Sequence, residues 1–178
     1  MTLPQIQIAR AHWLLGALFL ALILEEYLPR GRRSGPARSR SLVVPWALII
    51  GGVGVWATTV FADIVHDMIV HTLWGDILFA AGSLELARRR GVYERWWLDI
   101  VLPLAYVSCG MLFLVHNLID PAGVGQNWHS AMGLLLMAAG LLELLRLARG
   151  RAPAVPISLL PLAGFALVLI AIPVAAAS

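Results

Sequence analysis

The chain has no lysine, a single cysteine and few charged residues of any kind, and each shortage excludes a class of protein. With only Cys109 available, no disulfide can form within one chain, so a small disulfide scaffold is excluded and the thiol reads as a small packing residue. Charged residues make up 13% of the 178 positions and apolar residues 60%, with a mean hydropathy of +0.84. A soluble domain carries about a quarter charged residues, so a water-facing surface is missing. Period-two alternation is also missing, which argues against a membrane β-barrel. There is no serine or cysteine nucleophile arrangement, no phosphate-cradling glycine loop and no zincin motif, so the familiar hydrolytic and nucleotide-binding chemistries have no carrier.

What is present is a set of apolar stretches at about 12–28, 42–62, 72–87, 97–115, 130–145 and 157–176. Each is long enough, or nearly so, to cross a hydrocarbon core of about 30 Å at about 1.5 Å per residue. Backbone amides in lipid must be satisfied internally, so these segments should be helices. The expected fold class is all-α: a polytopic membrane protein of six transmembrane helices in one domain over residues 1–178. Twelve of the thirteen arginines fall in three short connections, 30–40, 88–95 and 146–151, and only Arg10 lies on the other side. That bias places the arginine loops in the cytoplasm and both termini outside it, as expected for a bacterial-type plasma membrane. The pI near 9.8 then reflects topology and contact with the lipid bilayer, and no nucleic-acid partner is implied. Trp13, Trp74 and Trp128 fall near the outer boundary and Trp46, Trp96 and Trp97 near the inner one.

A threefold internal repeat organises these helices. His12, His71 and His129 are each followed four residues on by Gly16, Gly75 or Gly133, and fourteen residues on by Glu26, Glu85 or Glu143. Residues 71–88 and 129–146 are identical at ten of eighteen positions, while the first copy is more eroded. The units are expected over about 10–66, 67–124 and 125–178. Offsets of 4, 11 and 14 residues fall within about 40° on a helix, so His71, Gly75, Gly82 and Glu85 share a stripe. His129, Gly133, Gly140 and Glu143 share the equivalent one. Glycines seven apart admit close approach by another helix or by a flat ligand. The expected packing sets helices 1, 3 and 5 around a pseudo-threefold axis, with helices 2, 4 and 6 outside.

All five histidines then gather near the outer boundary. His12, His71 and His129 open helices 1, 3 and 5, and His66 and His116 close helices 2 and 4. Asp63, Asp67 and Asp120 join them, and imidazole with carboxylate is a ligand set for zinc, iron or copper. A tight turn between His66 and His71 would aim both at one ion. Residues 118–128 would form a lid, and Met68, Met111 and Met132 would add softer ligands favouring copper. At the other end Glu85 and Glu143 precede Arg88 and Arg146 by three residues, the spacing of a helix-surface ion pair. With Glu26 they could instead mark the cytoplasmic end of a proton or cation route. Asp76, inside helix 3, has no counterpart in the other copies, where Ala17 and Leu134 stand.

Three functions fit this reading. The first is a membrane protein that binds a transition metal at its extracytoplasmic face, for metal handling, transport or metal-dependent redox chemistry. The second is a b-type haem or pigment-binding electron-transfer subunit, with histidines as axial ligands. The third is a His/Glu-lined proton or cation transporter, or an accessory subunit of a membrane complex. Metal-activated catalysis, a homo-oligomer and a membrane-complex partner are all open at this level.

Overall fold

A computed structural model describes residues 3–27, 42–59, 65–93, 95–119, 126–150 and 159–175, and every regular element among them is helical. The elements are α1 (Leu3–Tyr27), α2 (Val43–Thr59), α3 (Val65–Arg89), α4 (Leu98–Ile119), α5 (Gln126–Ala148) and α6 (Leu159–Ala175). The all-α expectation and the helix number hold. By length and composition, two described helices could cross a membrane, over Leu98–His116 and Trp128–Ala148.

Helix ends follow backbone chemistry more than hydropathy. α3 and α5 both stop at a glycine in the left-handed region, Gly91 at φ 73° and Gly150 at φ 60°. At the end of α3, the Val92 N–H donates to the Ala87 carbonyl at 3.0 Å and the Gly91 N–H to the Arg88 carbonyl at 3.1 Å, closing the orphan carbonyls. At their other ends both helices begin before their apolar stretches. α3 starts at Val65, so His66 lies in its first turn and does not close α2, and His71 lies inside the helix and does not open it. The reason is local: hydropathy falls at His66 and Asp67, but no glycine or proline interrupts the hydrogen-bond ladder there. The tight turn expected between His66 and His71 is therefore absent. Five residues along one helix separate their directions by about 140°.

Among the described residues the six helices form a closed ring in which each backbone neighbours only the preceding and following helix, with α6 returning to α1. The most extensive contacts join α2 to α3, α4 to α5, and α1 to α6. These are antiparallel contacts made through glycine. A Cβ placed on Gly52 would stand 2.8 Å from the Gly75 carbonyl oxygen, and one on Gly110 would stand 2.7 Å from that of Gly133. Gly82 is closed by Leu48 and Ile49, Gly140 by Pro103 and Val107, and Gly16 by Ala166 and Ile170.

This arrangement corrects the expected inner trio. Among the described residues no two of α1, α3 and α5 come into backbone contact. Gly75 faces Trp56 of α2 and Gly133 faces α4, so the two glycines do not look at each other. The glycine stripes of α3 and α5 each serve the helix before them in sequence and Gly16 of α1 serves α6, because a glycine or alanine on the facing helix (Gly52, Gly110, Ala166) lets the two backbones approach. The even helices are not peripheral either. Val44, Leu48 and Val55 of α2, Tyr106 and Phe113 of α4, and Phe165 and Leu169 of α6 are all buried. Across the middle of the ring, Phe19 meets Phe165 edge-on at 4.9 Å and Tyr106 at 6.5 Å. α6, which the sequence marks only as an outward surface, closes the ring through Leu162, Phe165, Ala166 and Leu169.

Gly133→Ala is expected to lower the thermal midpoint in detergent. The new methyl would meet the Gly110 carbonyl at 2.8 Å and Leu114 Cγ at 2.9 Å. Overpacking of that kind costs about 1–3 kcal/mol, more than the 0.5–1 kcal/mol or so that alanine gains over glycine in a helix. A raised midpoint would show that the α4–α5 contact is looser than described.

Candidate functional site

The glycine contact between α4 and α5 sets the height of two histidines. From Gly110, His116 lies six residues further along α4; from Gly133, His129 lies four residues back along antiparallel α5. Rises of about 9 Å and 6 Å bring them to nearly the same level. Their ring centroids are 5.0 Å apart, at an interplanar angle of 68°. On the other side of His116 stands His71 of α3, at 6.3 Å and 72°. Three helices thus each contribute one imidazole, with His116 in the middle. All three rings are half-buried.

An aromatic floor lies beneath them. Phe113, one turn before His116, is buried and stacks on His129 at 5.8 Å and 26°. Trp74 stands edge-on to His71 at 6.1 Å and also packs against Phe113, which in turn meets Phe165 at 6.1 Å. Below the rings the interior is apolar, with Met132 and Cys109 fully enclosed. Cys109 is accordingly a packing residue, as its position suggested.

A metal–nitrogen bond is about 2.0–2.1 Å, so two imidazoles on one ion have centroids about 5.2 Å apart at a tetrahedral angle and roughly 6.4 Å apart only when they oppose each other across the ion. His116 stands at the tetrahedral spacing from His129, at 5.0 Å, and at 6.3 Å from His71, near the opposed limit. As the side chains stand, no group of three His, Cys, Asp or Glu among the described residues is arranged to hold an ion. Of the other ligand candidates, His12 is half-buried on α1, a helix whose backbone neighbours only α2 and α6. Asp63 and Asp120 lie outside the described residues, as do the side chains of His66 and Asp67 and most of the expected lid. Met68 and Met111 are exposed on the outer surface, which leaves Met132 as the one methionine of the three facing inward.

The opposite end of the ring holds the carboxylates. Glu85 is buried and accepts hydrogen bonds from Arg88 Nε and Nη2, both at 2.7 Å, and from Arg89 Nε at 2.6 Å. Arg88 Nη1 also donates to Asp99 Oδ1 at 3.2 Å, tying the end of α3 to the start of α4. Glu143, more open, accepts from Arg146 Nε at 2.8 Å and also from Arg146 Nη2. The ion pairs anticipated from the three-residue spacing form, and Arg89 adds one that the spacing argument missed. Glu26 has a helical backbone in α1, but its side chain lies outside the described residues.

Sequence reasoning named the three histidines that meet but not their surroundings. Phe113, Trp56, Gly52 and Gly110 passed unnoticed, although Gly52 and Gly110 each precede a repeat glycine, Gly75 or Gly133, by 23 residues. That constant offset was the available signal. The glycine stripes of α3 and α5 are filled by Trp56, Ile49, Leu114 and Val107, so they offer no slot for a flat macrocycle. Comparison with known protein families, curated proteins and solved structures finds no match.

Proposed function

We propose that this chain is a six-span integral membrane protein that binds a transition metal ion through His71, His116 and His129, for metal handling, transport or metal-dependent redox chemistry. The observation that carries the reading is the convergence of three imidazoles from α3, α4 and α5, at 5.0 and 6.3 Å between adjacent rings. His71 must turn toward His116 for its nitrogen to share an ion with the other two. Copper, zinc and iron all take imidazole ligands. Asp63, Asp67 and Asp120 are the candidates to complete a ligand set whose core is His71, His116 and His129; His66, about 140° round α3 from His71, and His12, on a helix that neighbours none of α3, α4 and α5 among the described residues, fall outside it.

Membrane placement is supported by the outer surface of the ring. Every helix exposes large apolar side chains, among them Leu14, Ile50, Ile69, Met111, Leu134 and Leu167. In water such a surface would aggregate; in lipid it is solvated. Exposed Trp96 and Trp97 at the arginine-rich end, and Trp13 and Trp128 at the histidine end, fit two interfacial belts. Arginine placement orients the histidine end away from the cytoplasm, in a bacterial-type plasma membrane. The glycine contacts join each even helix to the odd helix after it, with α6 returning to α1, so the tight pairs run across the expected repeat boundaries and do not define the units of 10–66, 67–124 and 125–178.

Elemental mass spectrometry on protein purified in mild detergent without a histidine tag tests the reading. Near-stoichiometric copper, zinc or iron is the expected result, and iron accompanied by a Soret band would move the assignment to haem. Metal-free protein after reconstitution with each ion would overturn it.

A further inference from the structure

Asp76 stands where an ionisable side chain is hardest to accommodate. It lies twelve residues before Arg88 on α3, about 18 Å along the axis, and the hydrocarbon core is about 30 Å thick. Its side chain is exposed on the outside of the ring. Around it the same face presents Leu73 and Phe79, both exposed, and the exposed small residues Thr72 and Ala80 one turn to either side. The Thr72 hydroxyl already donates to the Met68 carbonyl at 2.8 Å, within its own helix. The α3 glycines that close on α2, Gly75 and Gly82, lie about 100–120° round the helix from Asp76, and Phe79 borders that seam with its ring 5.1 Å from Trp56. A carboxylate facing lipid is costly, and intramembrane ionisable side chains almost always face protein or water and pair with another group.

We propose that this face of α3 is the docking surface for a transmembrane helix of another protein that carries a basic residue near its midpoint, paired with Asp76. Charge complementarity selects that partner. A second copy of this chain has no cation to offer at the same depth among the described residues. Arg88, Arg89 and Arg90 lie at the end of α3, Arg146 and Arg149 at the end of α5, and Arg10 at the far end of α1. Two copies meeting here would oppose carboxylate to carboxylate. Thr72 and Ala80, short on either side of Asp76, let a partner backbone come close enough for a direct ion pair.

The inference rests on the membrane placement proposed above, and the experiment separates the two. The protein, dye-labelled at its N-terminus, is reconstituted into phosphatidylcholine vesicles and washed with alkaline carbonate. A synthetic helix of about 20 leucines with one central lysine is then added, and energy transfer is compared with that of an all-leucine peptide. The lysine peptide is expected to associate about tenfold more tightly, and Asp76→Asn is expected to abolish the difference. Ala80→Leu, which keeps the charge but blocks close approach, should weaken association as well. Release by carbonate would overturn the membrane placement itself. Retention with equal association of both peptides would overturn only the docking surface. Self-association lost in Asp76→Asn would overturn the basic partner and give the face to a second copy.

Discussion

His116→Ala should weaken metal binding by about tenfold or more, the usual scale for removing a metal-site residue, and by more than either flanking substitution. His116 is the only one of the three imidazoles with both others as ring neighbours, at 5.0 and 6.3 Å. Removing it leaves His71 on α3 and His129 on α5, two helices whose backbones are not in contact among the described residues. Removing His71 or His129 leaves an adjacent pair, which retains some affinity. Isothermal titration with copper(II) and zinc on the single variants, with circular dichroism to check folding, distinguishes these cases. Equal affinity in wild type and His116→Ala would show that the cluster is not the site. Gly133→Leu offers an indirect version, because it pushes α4 from α5 at the contact that levels His116 with His129.

Glu85→Ala is expected to cost about 2–3 kcal/mol of stability while leaving metal binding unchanged. Its carboxylate has a side-chain exposure of 4% and satisfies both Arg88 and Arg89, whose side chains are 32% and 11% exposed. Truncation would leave two guanidinium groups close together without their shared acceptor. The cost falls below that of a fully interior pair because Arg88 can turn toward water. For a chain of this length that corresponds to a fall in midpoint of roughly 5–10 °C. Glu143→Ala, with 21% side-chain exposure and Arg146 as its ion-pair partner, should cost about 1 kcal/mol or less. Affinity should hold in both, since fourteen helical residues put Glu85 about 21 Å from His71. A large affinity loss would show that the two ends are coupled, as a route through the protein requires. Equal midpoints for the two variants would remove the distinction drawn from burial.

Much of the site was legible because its signals are local or periodic. The shared positions of His71 and His129, four residues before a glycine and fourteen before a glutamate, identified them, and the three-residue spacing identified the Glu85–Arg88 and Glu143–Arg146 pairs. Helix boundaries were less legible. Hydropathy marks where a helix enters an apolar environment, whereas Val65 and Gly91 mark where backbone hydrogen bonding starts and stops. That difference moved His66 into α3 and removed the turn thought to join it to His71.

The sequence by itself determined helicity, the number of helices and the separation of a histidine end from an arginine end. Those follow from composition and from the direction of successive antiparallel helices, which need only the order of residues along the chain. Tertiary structure alone decided which faces meet. A glycine reads the same whether it admits a ligand, a distant repeat or the next helix. Only packing revealed that Gly75 takes Trp56 of α2 and that Gly133 takes Gly110 of α4. The same packing chose His116 as the centre of the cluster and enclosed Glu85 more deeply than Glu143. Shape complementarity between side chains far apart in the chain sets these outcomes, and its one trace in residue order is the 23-residue offset of Gly52 and Gly110 from Gly75 and Gly133.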